Sequence, residues 1–365
     1  MIGPWIAVIV SFAVAIGITP LCMLIARRYS IVDDPQTAPE RKKQTRPIPL
    51  LGGLAIIVAT WVTWFVLWRG GYLADEVVTL KQILSVCVAG GILAVGGVID
   101  DRWHLSARRQ IWWVIVAVAI VVAGGVGVTF ITNPFGGILD LTAVQWTLVR
   151  WHDVPYHLTL WADLFTFVWL LGASYTTKIL DGLDGLVSGL GVIGGIIVFL
   201  LTLRPEVHQA GVGMIALSLV GASAGFLYWN WHPAKVYLGE AGSLYIGFML
   251  GVVSIISGGK IATALLILGL PILDLLWVMI QRVRNRRSPF TSADRFHLHF
   301  RLLDAGFTVR QSVLIIFTLV TVFGVSTLYV HGAMKVVVLA ALGGVMAILV
   351  WWVMRRIQGR TEHSV

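Results

Sequence analysis

Long apolar runs alternate with short polar junctions along almost the whole chain. A helix that crosses a bilayer needs about 20 mostly apolar residues. That rule predicts eleven spans, at 3–26, 50–68, 82–99, 110–131, 161–180, 186–203, 210–228, 242–257, 261–281, 311–330 and 335–354. The pattern therefore predicts an all-α polytopic membrane protein, with one integral-membrane domain over 1–354 and a short basic tail over 355–365. Loop 132–160 is the long one on its side. Asn133-Pro134-Phe135-Gly136-Gly137 reads as a turn. The alternation in Gln145-Trp146-Thr147-Leu148-Val149 predicts a small hairpin after it. Gly221…Gly225 and Gly247…Gly251 are small-xxx-small pairs, suited to close helix packing.

Composition agrees. Of 365 residues, 58% are hydrophobic and 12% are charged, and the mean hydropathy is +0.87, whereas soluble domains carry about 25% charged residues. Cys22 and Cys87 sit in separate apolar runs, which leaves no cysteine framework. The first run has no basic segment before it and no cleavage site after it, so it reads as a retained span. The net charge of +9 speaks first of topology. With the N-terminus outside, 21 of the 27 Lys and Arg fall in the inside junctions and the other 6 outside. The positive-inside rule then predicts N-out and C-in, which needs an odd number of spans.

The inside junctions carry the chemistry. The first, 27–49, holds Asp33 and Asp34 and the basic run Arg41-Lys42-Lys43, which reads as a topology signal or as a clamp on phosphates. The second is Asp100-Asp101-Arg102-Trp103-His104-Leu105-Ser106, where adjacent carboxylates repel unless a cation, a proton or water relieves them. The third is Lys178-Ile179-Leu180-Asp181-Gly182-Leu183-Asp184-Gly185. Asp181 and Asp184 are three apart and would share a face of a continuing helix. In the fourth, Gly239-Glu240-Ala241-Gly242 sets an acid and glycines at a helix N-terminus, an end that favours anions. The fifth, 282–310, contains Asp294-Arg295-Phe296-His297-Leu298-His299-Phe300-Arg301; the two histidines would share a face on a strand and not on a helix. Asp274, inside the ninth span, reads as a carboxylate paired within the bundle or simply as a protonated one. A transporter would set its ionisable residues near mid-depth, with Asp274 foremost. Clustering at one membrane surface instead favours an interfacial enzyme, with carboxylates for a divalent cation and Arg or Lys for phosphate oxygens.

From about Asp33 to Gly306 the chain resembles the polyprenyl-phosphate N-acetylhexosamine-1-phosphate transferases. Four motifs carry the likeness: Asp100-Asp101-Arg102 with Leu105-Ser106, Asp181-Gly182-Leu183-Asp184-Gly185-Leu186, Leu238-Gly239-Glu240-Ala241-Gly242-Ser243-Leu244, and Asp294-Arg295-Phe296-His297-Leu298-His299. The resemblance implies transfer of a sugar 1-phosphate from a UDP-sugar to undecaprenyl phosphate at the cytoplasmic face, with Mg²⁺ and release of UMP. The His-x-His segment is similar to the WecA/TagO-like branch, which implies a UDP-N-acetylhexosamine donor, GlcNAc first. The alternatives are the UDP-MurNAc-pentapeptide donor of the MraY branch and a non-catalytic transporter. The implied partners are the lipid carrier, the UDP-sugar and the bilayer, without nucleic acid; a homodimer is compatible.

The resemblance also assigns roles. Asp100, Asp101, Asp181 and Asp184 are the catalytic carboxylates, with Asp100 or Asp101 taking or orienting the phosphate proton. Glu240 and Asp184 would hold the metal. Lys178, Arg295, His297, His299 and Arg301 would bind substrate, and Arg41, Lys42 and Lys43 would draw it in. Departures fall on the metal positions: Lys178 stands where the family has Asn, and Glu240 where it has Asp. His104 and Phe300 also depart from the family pattern. An ammonium cannot ligate Mg²⁺, so Lys178 is expected to pair with Glu240 and assume part of the cation's role, or to turn toward phosphate beside a retained Mg²⁺.

Overall fold

Each predicted apolar run contains helix in the computed structural model, which describes residues 2–37, 46–73, 78–133, 136–151, 154–205, 207–258, 261–286 and 296–362. In chain order the helices are α1 (Gly3–Arg28), α2 (Gly52–Arg69), α3 (Leu80–Trp103), α4 (Ala107–Ala123), α5 (Leu160–Leu180), α6 (Leu186–Thr202), α7 (Ala210–Asn230), α8 (Gly239–Ile256), α9 (Ile261–Ile267), α10 (Gly269–Arg284), α11 (Leu298–Asp304), α12 (Val309–Ser326) and α13 (Met334–Glu362). Seven of them (α1, α2, α3, α7, α8, α12 and α13) are long and apolar enough to cross a membrane. That supports a polytopic membrane protein, though fewer such helices than the eleven predicted runs. At 17 residues each, α4 and α6 are shorter.

The boundaries follow local chemistry. Thr79 and Gln82 close a reciprocal capping box at the start of α3, as do Thr308 and Gln311 at α12, each satisfying two otherwise orphaned amides. The fourth run was expected to continue to 131, but α4 stops at Gly124-Gly125, where Gly125 has φ +88°. The ninth run is two helices and not one. Pro271 cannot donate a backbone hydrogen bond and its ring crowds the carbonyl four residues back, so the ladder breaks at Leu268 and Pro271 falls in the first turn of α10. The expected tail at 355 begins as a continuation of α13.

Three short antiparallel pairs accompany the helices. β1 (Val32–Asp33) pairs with β2 (Ile48–Pro49), and β3 (Phe130–Thr132) with β4 (Ile138–Asp140). β5 (Gln145–Trp151) and β6 (Val154–Thr159) form the predicted hairpin, with a register shift between Thr147 and Val149. β6 leads directly into α5, whose 21 residues separate the hairpin from Lys178 by about 30 Å at 1.5 Å per residue.

α7 and α8 are the hub. Their apolar windows are 83% and 89% buried, against 22% for α1 and α13, so the outer helices turn side chains such as Trp5, Ile9, Ile348 and Trp351 outward, as a lipid-facing surface requires. The glycine pairs serve packing, as expected. Cβ atoms at Gly221 and Gly225 would run into Ser11, Val8 and Phe12 of α1, and one at Gly247 into Ala173 and Thr177 of α5. Two buried polar pairs join helices: Tyr245 and Thr60 hydroxyls lie 2.7 Å apart, and Trp64 Nε1 donates to Ser218 Oγ at 2.7 Å.

Candidate active site

Three junctions meet at one end of the bundle: α3–α4, α5–α6 and α7–α8. The β2–α2 segment locks onto the last of these, because Tyr237 N–H donates to Pro49 O, Gly52 N–H to Tyr237 O and Gly53 N–H to Leu238 O. Between them opens a cavity of about 840 Å³ lined by Asp33, Arg46, Asp101, Lys178, Asp181, Gly182, Asp184, His232, Lys235, Tyr237, Glu240 and Phe300 among others.

Asp101, 8% exposed at the end of α3, lays both carboxylate oxygens on the Glu240 N–H, at 3.1 and 3.2 Å. The α8 N-terminus therefore already has an acceptor for its leading amide, and that acceptor is a side chain. Gly239 makes the approach possible: its φ is +69°, and a Cβ would meet Leu50 O and Asp101 Oδ2. Asp100 points elsewhere. Its Oδ1 accepts from Leu105 N–H at 2.7 Å, fixing the α3–α4 turn, and it is absent from the cavity lining.

Asp181 and Asp184 do not share a helix face. α5 ends at Leu180, Asp181 is its C-cap, and α6 restarts after Gly185, whose φ is +79°; the two acids flank a turn that opens on the cavity. Asn230 fastens this turn, its Oδ1 accepting from Gly185 N–H and Ser188 Oγ at 3.0 Å each. Asp184 Oδ2 meets His232 Nδ1 at 2.6 Å and accepts from Ala234 N–H at 3.1 Å. The surrounding protein, and after it the charges of Glu240 and Asp184, push the Asp181 carboxyl up to about 8. Its side of the turn is nevertheless open to the cavity, and water admitted there works against the shift. Burial, and after it Asp184, Asp33 and Asp181, push the Tyr237 hydroxyl up as well.

The expected pair of Lys178 and Glu240 is present: Nζ lies 2.8 Å from Oε2, with the side chains 16% and 27% exposed. Nζ also donates to Gln110 Oε1 at 2.7 Å, and Gln110 Nε2 donates to Leu105 O at 2.9 Å. The ammonium thus bridges Glu240 and Gln110 in the cavity wall.

The remaining candidates lie apart. His297 and His299 are buried, at 7% and 0% exposure, as is Arg301 at 7%, and none of the three lines the cavity. His297 is the extended N-cap of α11 with His299 just inside it, so their rings stack at 5.7 Å and 9° although a helix alone would separate them. Asp274 is paired within the bundle, as expected, with His297 as its partner at 2.8 Å. Arg41, Lys42, Lys43 and Arg295 lie outside the described residues. Sequence reasoning missed His232, Gln110 and Asn230. His232 was legible in part, since His232-Pro233-Ala234-Lys235 is a polar turn just before the Gly239 motif.

The lining tests the metal expectation. Asp33, Asp101, Asp181, Asp184 and Glu240 face Arg46, Lys178 and Lys235, five carboxylates against three cations. A diphosphate brings its own negative charge in beside these acids, which an accompanying cation offsets, and the donors are hard oxygens that suit Mg²⁺. Among the described residues no three or more His, Cys, Asp or Glu gather as a closed metal cage. The donor set fits an ion that keeps one or two protein carboxylates and completes its shell with substrate oxygens and water.

Comparison with known proteins follows the same residues. The profile of the family described as Glycosyl transferase family 4 matches residues 83–258, from early α3 to just past α8. A protein of Bacillus subtilis (strain 168) named "Probable undecaprenyl-phosphate N-acetylglucosaminyl 1-phosphate transferase" is 31% identical over 342 residues, covering 91% of this chain and 86% of its own. The decaprenyl-phosphate N-acetylglucosaminephosphotransferase of Mycobacterium leprae (strain TN) is 31% identical over 341 residues, covering 87% and 80%. The undecaprenyl-phosphate alpha-N-acetylglucosaminyl 1-phosphate transferase of Escherichia coli (strain K12) is 27% identical over 306 residues, covering 80% and 74%. With its motif-bearing junctions gathered around one cavity and relatives matched over nearly its full length, this chain belongs to the polyprenyl-phosphate N-acetylhexosamine-1-phosphate transferases of glycosyl transferase family 4.

Proposed function

We propose that the chain transfers N-acetylglucosamine 1-phosphate from UDP-GlcNAc to a polyprenyl phosphate such as undecaprenyl phosphate, as the first membrane step of envelope polysaccharide synthesis. An oxygen of the carrier phosphate attacks the β-phosphorus of the nucleotide sugar in a single displacement. A new P–O bond joins carrier and sugar phosphate, the bond to UMP breaks, and UMP leaves with the electron pair. The observation that carries this reading is the convergence of Asp101, Lys178, Asp181, Asp184 and Glu240 on one cavity, beside relatives named for this chemistry.

Of the two adjacent acids, Asp101 is the one on the cavity, so it takes or orients the carrier's proton, while Asp100 shapes the turn. Asp184 and Glu240 would hold Mg²⁺ and Asp181 would position the nucleotide; the ion would supply charge neutralisation on the diphosphate. Lys178 shares Glu240 with it. His297, His299 and Arg301 support the site from behind, while Arg41, Lys42, Lys43 and Arg295 draw the anionic substrates in. The eleven apolar runs cross the inner cell membrane with α9 and α10 as one broken span, N-terminus outside, so that the cavity opens to the cytoplasm; the 21-to-6 distribution of Lys and Arg supports this. The test is UMP release by the purified full chain from a panel of UDP-sugars with undecaprenyl phosphate. UDP-GlcNAc is expected to lead; UMP release from UDP-MurNAc-pentapeptide alone would overturn the choice of donor.

A further inference from the structure

Asp274 lies in α10, 3% exposed, and both its oxygens are engaged. Oδ2 meets His297 Nδ1 at 2.8 Å, and Oδ1 accepts from Leu298 N–H at 2.7 Å. Two bonds to one carboxylate pin the start of α11 onto α10. The His297 ring then lies parallel to His299. His299 is wholly buried, and among the described residues neither of its ring nitrogens has a hydrogen-bond partner. Burial pushes its pKa down to about 4, so the ring is neutral and still carries one N–H. A buried donor without a partner is costly and calls for an explanation. Nε2 abuts Gly182, where a Cβ would collide with it. Gly182 separates Asp181 from Leu183 and Asp184 in the turn that lines the cavity, and Phe300 and Leu303 of the same short helix α11 line it too.

We propose that Asp274 is a positioning residue for the transfer reaction: through His297 and His299 it braces the Asp181–Asp184 turn in the shape that receives the nucleotide sugar. A brace that merely joined α10 to α11 would need neither an unpartnered imidazole against Gly182 nor a ring stack leading to it. The activity arm of the test rests on the transferase reading; the exchange arm does not.

The experiment uses the full chain in detergent as wild type, Asp274→Ala, Asp274→Asn, His299→Leu and the Asp274→Ala/His299→Leu double variant. It reads amide hydrogen exchange across 181–186 and kcat/KM for UDP-GlcNAc. Asp274→Ala and His299→Leu are each expected to speed exchange at the turn, and to lower kcat/KM, by about tenfold, with the double variant little worse than either single, because groups acting in series do not add. Asp274→Asn keeps an acceptor for Leu298 N–H and a polar partner for His297, and is expected within about threefold of wild type. Unchanged exchange at 181–186 in His299→Leu, or losses that multiply in the double variant, would overturn the proposal. If Asp274→Ala does not fold, His299→Leu and Asp274→Asn decide it by the same measures. A wild-type chain that releases no UMP while its turn still responds to these changes would overturn the transferase reading and leave the brace standing.

Discussion

Replacing Lys178 by Asn removes one of three cations from a cavity lined by five carboxylates. It also leaves Glu240 without the ammonium 2.8 Å away and Gln110 Oε1 without its donor. A unit charge about 4 Å from a phosphate oxygen is worth about 1 kcal/mol in water and about 4 kcal/mol at a protein-like effective dielectric of about 20. Lys178 and Glu240 are largely but not wholly covered, at 16% and 27% exposure, so an intermediate value of about 2 kcal/mol applies, or about thirtyfold in nucleotide-sugar affinity. Glu240, once released, becomes a better ligand for a divalent ion. The assay is UMP release by wild type and Lys178→Asn, each titrated with Mg²⁺ from the chelated state. The variant is expected to fall about thirtyfold below wild type at low Mg²⁺ and to recover to within about threefold at saturating Mg²⁺, with its midpoint at a lower concentration. Superimposable titration curves, or a loss that Mg²⁺ cannot restore, would refute a shared role of Lys178 and the metal on Glu240.

Other consequences follow from the same geometry. Gly239→Ala must hold an L-residue at φ +69° with its Cβ against Leu50 O and Asp101; a loss of about 1–3 kcal/mol in stability, read as a lowered unfolding midpoint, is expected together with reduced activity. His232→Ala removes the 2.6 Å partner of Asp184; KM for UDP-GlcNAc is expected to rise about tenfold, the worth of one charge-assisted hydrogen bond. The raised Asp181 carboxyl, at about 8 in the fold, binds its proton more tightly folded than unfolded, where it titrates near 3.8. Its contribution is therefore fully present below about pH 4 and is lost as pH rises toward 8. The thermal midpoint of wild type is expected to fall more steeply between pH 5 and 8 than that of Asp181→Asn, and parallel curves would count against the shift.

Periodicity and motif spacing were enough to place the apolar helices, the β5–β6 hairpin and the glycine contacts, and the Lys178–Glu240 pair followed from setting those two positions against the family pattern. They misjudged what glycine and proline do to a continuous apolar run. Gly124-Gly125 ended α4, Pro271 split the ninth run, and Gly182 and Gly185 turned an expected helix face into a loop; each residue was visible, but apolar periodicity alone outweighed it. The acids of the site were legible because charge is conspicuous in apolar sequence. Their partners were not. Gln110, Asn230 and His232 are ordinary polar residues until the fold brings α4 and the α7–α8 loop against the acids. The resemblance assigned His297 and His299 to substrate; in the fold both are buried beneath the turn, with His297 held by Asp274.

The central claim, that one cavity at the bundle end performs sugar-phosphate transfer with Asp101 at its centre, is tested most directly by UMP release from UDP-GlcNAc in the presence and absence of undecaprenyl phosphate, comparing wild type with Asp101→Asn. The account predicts UMP release that requires the lipid and falls by about a hundredfold or more in the variant, as for loss of a group that handles the reacting proton. Release that ignores the lipid, or an Asp101→Asn chain as active as wild type, would contradict it.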